Sequence, residues 1–183
     1  MNIVVYCSSR FGNDPKYNET ASELGNLIGK NGHTLVFGGS KAGTMDTLCR
    51  CVMEAGGKTI GVVPDIAFIK QKCNPMLSER IDAKDVSERK NIMIELGDAF
   101  IALPGGFGTY DEVFSTIEQH FLEGSVVPIV LINTDGYYSS LRDAIDHMYK
   151  EGMCSIEQKN LICFADNAFE AMEIIEGKKQ HAC

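Results

Sequence analysis

Glu112 closes the run Leu103-Pro104-Gly105-Gly106-Phe107-Gly108-Thr109-Tyr110-Asp111-Glu112. Three glycines in four residues can present successive backbone N–H groups to an anion. A helix starting at the same place adds favourable dipole charge, and Thr109 supplies a hydroxyl. A carboxylate one turn further on can stabilise a developing cation or take a proton from water. The same spacing fits a helix cap, because Thr109-x-x-Glu112 has the form of a capping box, in which the glutamate only stabilises the helix start. Both roles for Glu112 are open on spacing alone.

Arg89 is the natural counterpart. In Asp85-Val86-Ser87-Glu88-Arg89-Lys90-Asn91-Ile92-Met93-Ile94-Glu95-Leu96, residues Val86, Arg89, Met93 and Leu96 fall on one helical stripe, so the arginine lies on the apolar face. A guanidinium there cannot shed its charge and requires an anionic or polar partner. That partner is either a structural carboxylate or a ligand such as a phosphate. A third candidate is Phe37-Gly38-Gly39-Ser40-Lys41-Ala42-Gly43-Thr44-Met45. Its glycines allow close backbone approach to a ligand, or simply a tight strand-to-helix turn.

These motifs need a frame that gathers them. Short runs rich in Val, Ile and Leu at 2–6, 34–37, 59–63, 99–103 and 127–132 have the continuous hydrophobicity of strands buried on both faces. Helical stripes lie between them: Tyr17, Ala21, Leu24 and Ile28, ending near Gly32; Tyr110, Val113, Phe114, Ile117 and Phe121, closed by Gly124; a stretch over 143–150; and another over 168–175. The alternation predicts an α/β fold, a Rossmann-like doubly wound parallel sheet in three αβα layers. A chain of 183 residues fits one domain, 1–183, with a frayed tail over 176–183. The segment 64–84, with Pro64 and Pro75, reads as a loop or short helix over the site. In such folds ligands sit at the carboxyl ends of the strands, where all three motifs fall.

Composition excludes large anionic partners. Seventeen Lys and Arg against 25 Asp and Glu give a net charge of −8, which argues against binding nucleic acid or an anionic membrane by bulk charge. A small phosphate ligand is still admissible, since local N–H groups can hold it. No apolar run approaches the ~20 residues of a membrane span. Seven cysteines, an odd number without a C-x-x-C pair, together with a start that reads as a strand rather than a signal peptide, predict reduced thiols and a cytoplasmic location. The four histidines have no ligand spacing with the cysteines, so no metal site is expected.

Glu88-Arg89-Lys90-x-x-Met93 followed by Pro104-Gly105-Gly106-Phe107-Gly108-Thr109-Tyr110-Asp111-Glu112 resembles the double signature of the Lonely Guy family. These are cytokinin-activating phosphoribohydrolases, many of whose bacterial members were long labelled lysine decarboxylases. The resemblance extends to Val4-Val5-Tyr6-Cys7-Ser8-Ser9, Asn13-Asp14-Pro15-Lys16-Tyr17 and Leu35-Val36-Phe37-Gly38-Gly39, covering roughly residues 2–132. It implies a homodimeric enzyme that needs no cofactor. The implied reaction hydrolyses the N-glycosidic bond of a nucleoside 5′-monophosphate, such as AMP or a cytokinin riboside monophosphate. By resemblance Arg89 and Glu112 are the catalytic pair, and Gly105, Gly106, Gly108 and Thr109 cradle the phosphate. Met93 packs by the base, and Lys90 and Asp111 stand on the ligand side. Ser9, Gly39 and Phe107 complete the expected substrate-binding set.

This chain departs from the family pattern in places. Ser40 and Asp46 stand where glycines are usual, Ser8 and Arg10 where Gly and Ser are usual, and Glu118-Gln119-His120 occupies a stretch that often carries Trp. These positions bear on the choice of base more than on the hydrolytic core. A non-hydrolytic nucleotide or phosphate-ligand carrier on the same fold is the alternative, but it needs the glycine loop and not the carboxylate. A pyridoxal-phosphate lysine decarboxylase needs a Schiff-base lysine, and Lys41 and Lys90 both have simpler readings.

Overall fold

The computed structural model describes residues 1–178. Residues 179–183, most of the tail expected to fray, lie outside the described residues. At the start of that tail Glu176 accepts a hydrogen bond from Asn31 Nδ2 at 2.9 Å and pairs with His33 Nε2 at 3.0 Å.

The elements in chain order are β1 (Asn2–Tyr6), α1 (Pro15–Lys30), β2 (Thr34–Phe37), α2 (Gly43–Glu54), β3 (Lys58–Pro64), α3 (Ala67–Lys70), β4 (Glu79–Ala83), α4 (Val86–Leu96), β5 (Ala99–Ala102), α5 (Phe107–Glu123), β6 (Ile129–Ile132), α6 (Ser139–Lys150), α7 (Ile156–Asn160), β7 (Ile162–Ala165) and α8 (Ala168–Ile175). All seven strands are parallel, in the order β4-β3-β2-β1-β5-β6-β7. The chain begins in the middle, winds outward to β4, then returns to pair β5 on the other side of β1. This is the doubly wound α/β arrangement that the strand runs predict.

Period-two alternation divides the core into two layers. Ile3, Val5 and Cys7 point with Leu35 and Phe37 into the layer containing Leu24, Leu48 and Met172, under α1, α2 and α8. Val4, Tyr6 and Val36 point into the opposite layer with Met93, Phe100, Val113, Ile117 and Tyr138, under α4, α5 and α6. Central strands buried on both faces are the ones whose hydrophobic runs are continuous.

Two strands depart from the expectation. The segment 64–84 carries α3 and the edge strand β4, whose polar sequence Glu79-Arg80-Ile81-Asp82-Ala83 buries only Ala83 fully. Rather than covering the site, it straps the turn after β2: Lys41 N–H donates to Lys72 O at 2.7 Å and Asn74 N–H to Gly39 O at 2.8 Å. Asp46, one of the departures from the family pattern, accepts from Asn74 Nδ2 at 3.0 Å and fastens this strap to α2. The other unexpected strand is β7, four residues long at the opposite edge.

Among the described residues Cys7, Cys49, Cys51, Cys73 and Cys154 are free thiols. Among the described residues no helix is long and apolar enough to cross a membrane, and no cluster of three His, Cys, Asp or Glu side chains could hold a metal.

Candidate active site

The sheet order places a crevice where the chain reverses direction, between the carboxyl ends of β1 and β5. Register pairs Val5 with Ile101 and Tyr6 with Ala102, so the loops leaving these strands emerge side by side. Between them lies a cavity of about 540 Å³ lined by Cys7, Ser8, Ser9, Arg10, Met45, Arg89, Gly106, Phe107, Gly108, Thr109 and Glu112.

Both flanking loops are held by tight backbone contacts. Thr44 Oγ1 accepts from Ser8 N–H and lies 3.1 Å from Ser8 O, clamping the loop after β1 to the start of α2. Gly43, at φ +57°, allows this approach, because a Cβ there would come within 2.2 Å of Arg10 N. On the other wall a Cβ at Gly105 would lie 2.1 Å from Thr109 Oγ1, so only glycine permits the turn that starts α5. The cap of α5 is Gly106, which has no side chain to accept the first N–H groups. These donors sit in the cavity wall with the positive end of the helix behind them.

The helix start also excludes the capping role of Glu112. With Gly106 as cap, Thr109 is the third helical residue, so Thr109 and Glu112 cannot form a capping box. The carboxylate instead forms a close ion pair with the Arg89 guanidinium. Asp85 caps α4 by accepting from Glu88 N–H at 2.8 Å, and this start sets the register that aims Arg89 inward beneath Gly38. The Arg89 and Glu112 side chains are 13% and 5% exposed. Arg89 Nε is buried without a hydrogen-bond partner, leaving one donor of the guanidinium unused.

Burial pushes the Glu112 carboxyl up to about 7, against the opposing pull of Arg89. The carboxyl therefore changes charge near neutrality. Beneath the pair the Tyr6 hydroxyl lies 2.7 Å from Thr116 Oγ1, which donates to the Glu112 backbone carbonyl at 2.8 Å. Burial raises the Cys7 thiol well above its usual range, so this cavity-lining cysteine stays protonated.

Seven of the expected site residues line the cavity: Ser9, Arg89, Gly106, Phe107, Gly108, Thr109 and Glu112. The other five do not. Gly105 stands behind the wall, supporting Thr109. Gly39, at φ +69°, packs against Gly61 and Val63. Met93 is fully buried in the core layer rather than exposed to a base. Lys90 Nζ bonds both oxygens of Asp111 at 2.9 Å and Ser115 Oγ at 3.0 Å, tying α4 to α5 outside the cavity. Cys7, Ser8, Arg10 and Met45 line it without having been singled out as site residues. The first three follow the carboxyl end of β1, a position that the doubly wound topology marks. Met45 looks in sequence like any core residue of a helix.

Over residues 45–175 the chain matches the protein-family model described as "Possible lysine decarboxylase", a match that includes both the α4 and the α5 motifs. The chain belongs to the Lonely Guy family. This Lonely Guy chain is 35% identical over 170 residues to a probable cytokinin riboside 5′-monophosphate phosphoribohydrolase of Oryza sativa subsp. japonica, covering 93% of this chain and 74% of that one. It is 36% identical over 174 residues to a cytokinin riboside 5′-monophosphate phosphoribohydrolase of Arabidopsis thaliana, covering 95% and 80%. A protein of the same name from Rhodococcoides fascians is 37% identical over 152 residues, covering 82% and 77%.

Among solved structures, the molybdenum cofactor carrier protein from Chlamydomonas reinhardtii superposes with a TM-score of 0.74 at 23% identity, covering 96% of each chain. The molybdenum cofactor binding protein from Rippkaea orientalis gives 0.71 at 22%, covering 97% and 94%. These two likenesses establish the fold alone. Among the described residues no lysine lines the cavity, so the Schiff-base lysine that a decarboxylase needs has no counterpart among them there.

The raised Glu112 carboxyl fixes a pH dependence. Between about 4.5, where the unfolded carboxyl ionises, and about 7, the folded protein holds a proton that the unfolded chain has lost. Stability contributed by this group is therefore full below that window and falls by ~3 kcal/mol as pH rises through it. Urea unfolding of Glu112→Gln against the parent at pH 4.5 and pH 8 checks this. The variant's relative stability should increase with pH, whereas a constant difference would indicate a carboxyl of ordinary acidity.

Proposed function

We propose that this protein hydrolyses the N-glycosidic bond of a nucleoside 5′-monophosphate, releasing free base and ribose 5-phosphate. The observation that carries the reading is the buried Arg89–Glu112 pair beside an uncapped, glycine-lined helix start in one cavity. The names of the relatives, phosphoribohydrolases of cytokinin riboside 5′-monophosphates, support the same reaction class.

In this reading the 5′-phosphate is held by the N–H groups of Gly106 to Thr109 at the head of α5. Phosphate binding at this fixed point directs the sugar toward Glu112, one further turn along the helix. As the bond from C1′ to the base nitrogen breaks, the electron pair leaves with the base and positive charge grows on the sugar. The ionised Glu112 stabilises that charge and takes a proton from the water that adds to C1′. The proton then passes to the departing base, which restores the carboxylate and balances the reaction.

Arginine is a poor acid because a guanidinium holds its proton too firmly to give it up. The part of Arg89 is to hold Glu112 in place, to draw its pKa down towards neutrality against burial, and to offer its unused Nε donor. The catalytic centre as a whole requires no metal or organic cofactor. Exposed Phe107, Ser9 and the Arg10 departure line the outer part of the cavity and are assigned to recognition of the sugar and base.

The molecule is proposed to act as a homodimer in the cytoplasm. Phe114, Phe121 and Leu122 leave an apolar strip exposed along α5, beside a groove shared with α4. Met148 of α6 packs against the core and lies outside this strip. The five free thiols support a reducing compartment.

Incubation with AMP and a panel of other nucleoside monophosphates, followed by chromatography, tests the reaction. Free base and ribose 5-phosphate are expected in equal amounts, with kcat/KM rising through an acid limb near pH 7 as Glu112 ionises. Glu112→Gln should retain ligand binding and lose about 10²–10⁴ in kcat. Ligand-dependent thermal stabilisation with no base released would support the non-hydrolytic carrier instead. Sedimentation of Leu122→Asp tests the dimer: a monomer is expected, and an unchanged assembly would remove the α5 strip from the interface.

A further inference from the structure

We propose that Tyr137 is a positioning residue for the anion cradle. Its hydroxyl fixes the Gly105–Gly106 peptide so that the Gly106 N–H faces the cavity. The proposal rests on the reading that a phosphate occupies that cradle.

The Tyr137 hydroxyl donates to Gly105 O at 2.6 Å. The described chain has no cis peptide bond, so the Gly106 N–H points opposite to the Gly105 carbonyl. Gly106 lines the active-site cavity, whereas Tyr137 lines a separate surface hollow with Gly12, Asn13, Pro15 and Tyr17. The carbonyl is thus drawn to the outer side and the N–H turned to the inner side. A peptide between two glycines has unusually soft flanking dihedrals, and a Cβ at Gly106 would meet nothing within 4 Å. Without an anchor this peptide could rotate and present its carbonyl oxygen to an anion, replacing attraction with repulsion.

Tyr137 is itself firmly held. Its ring meets Tyr17 edge-on at 5.5 Å and Tyr138 at 5.0 Å. The Tyr138 hydroxyl donates to Leu103 O at 2.7 Å, so two consecutive tyrosines pin two carbonyls of the same loop. The turn carrying them is built around Asn133, whose Oδ1 accepts from Tyr138 N–H at 2.6 Å, and Asp135, which sits at φ +52° and pairs with Lys16 at 2.9 Å. The segment approaches the site from α6, outside both sequence motifs.

Tyr137→Phe keeps the ring contacts and deletes only the anchor. Calorimetric titration of the full-length variant and parent with ribose 5-phosphate, inorganic phosphate and adenosine is the test. The variant should bind the two phosphate-bearing ligands about tenfold more weakly, the scale of one hydrogen bond to a charged group. Adenosine affinity should not change. Equal weakening for adenosine, or unaltered affinity for ribose 5-phosphate, overturns the positioning role while leaving the phosphate reading intact. A parent protein that binds neither phosphate nor ribose 5-phosphate overturns both.

A second measurement needs no variant. On addition of inorganic phosphate to the labelled parent protein, the Gly106 amide proton should move downfield. A Gly106 amide that does not respond while phosphate binds would contradict the proposed orientation.

Discussion

A carboxylate as deeply buried as Glu112 must either find a cation or give up its charge. Here it does some of each, since Arg89 offsets part of the burial and leaves the carboxyl near neutrality. The pair joins α4 to α5 across the end of the sheet, so both helices need a fixed register. Asp85 supplies it for α4 and the Gly105–Gly106 turn for α5. Loss of either start would separate the pair and leave a charge buried without its partner. The same constraint underlies the proposed chemistry, in which a carboxyl that ionises near pH 7 accepts a proton and returns it.

The remainder of the site follows from where the sheet reverses direction. Loops leaving β1 and β5 diverge to opposite sides and leave a crevice that no helix fills. Thr44 holds one wall and Tyr137 the other. The groups of positive charge that line the crevice are the backbone N–H groups at the head of α5 and Arg89, all local. A chain of net charge −8 can therefore present a site for a small anion, although its overall field disfavours a polyanion.

The central strands are legible in sequence because burial on both faces makes Ile3-Val4-Val5 and Ile129-Val130-Leu131-Ile132 unbroken apolar runs. Glu79–Ala83 is hidden for the opposite reason: an edge strand needs few apolar residues. Ile162–Ala165 is too short to establish a period. Arg89 and Glu112 are legible as candidates, but the partner that each selects is not, because the spacing of Thr109 and Glu112 also fits a cap. Only the start of α5 at Phe107, one residue beyond Gly106, excludes that alternative. Lys90 and Asp111 show a different limit. Motif membership places them near the site, whereas the helix faces turn them toward each other. Tyr137 lies in neither motif, and its contact with Gly105 depends on a tertiary approach across 32 positions.

The central claim is that Glu112 is a buried carboxyl paired with Arg89 and poised to change charge near neutrality. Difference infrared spectroscopy across a pH titration measures this directly, with Glu112→Gln used to assign the band. The account predicts a protonated carboxyl band that disappears with a midpoint near pH 7 in the parent protein and is missing from the variant. A Glu112 midpoint between 4 and 5 would contradict it, because the carboxyl would then have the acidity of an ordinary solvent-exposed glutamate.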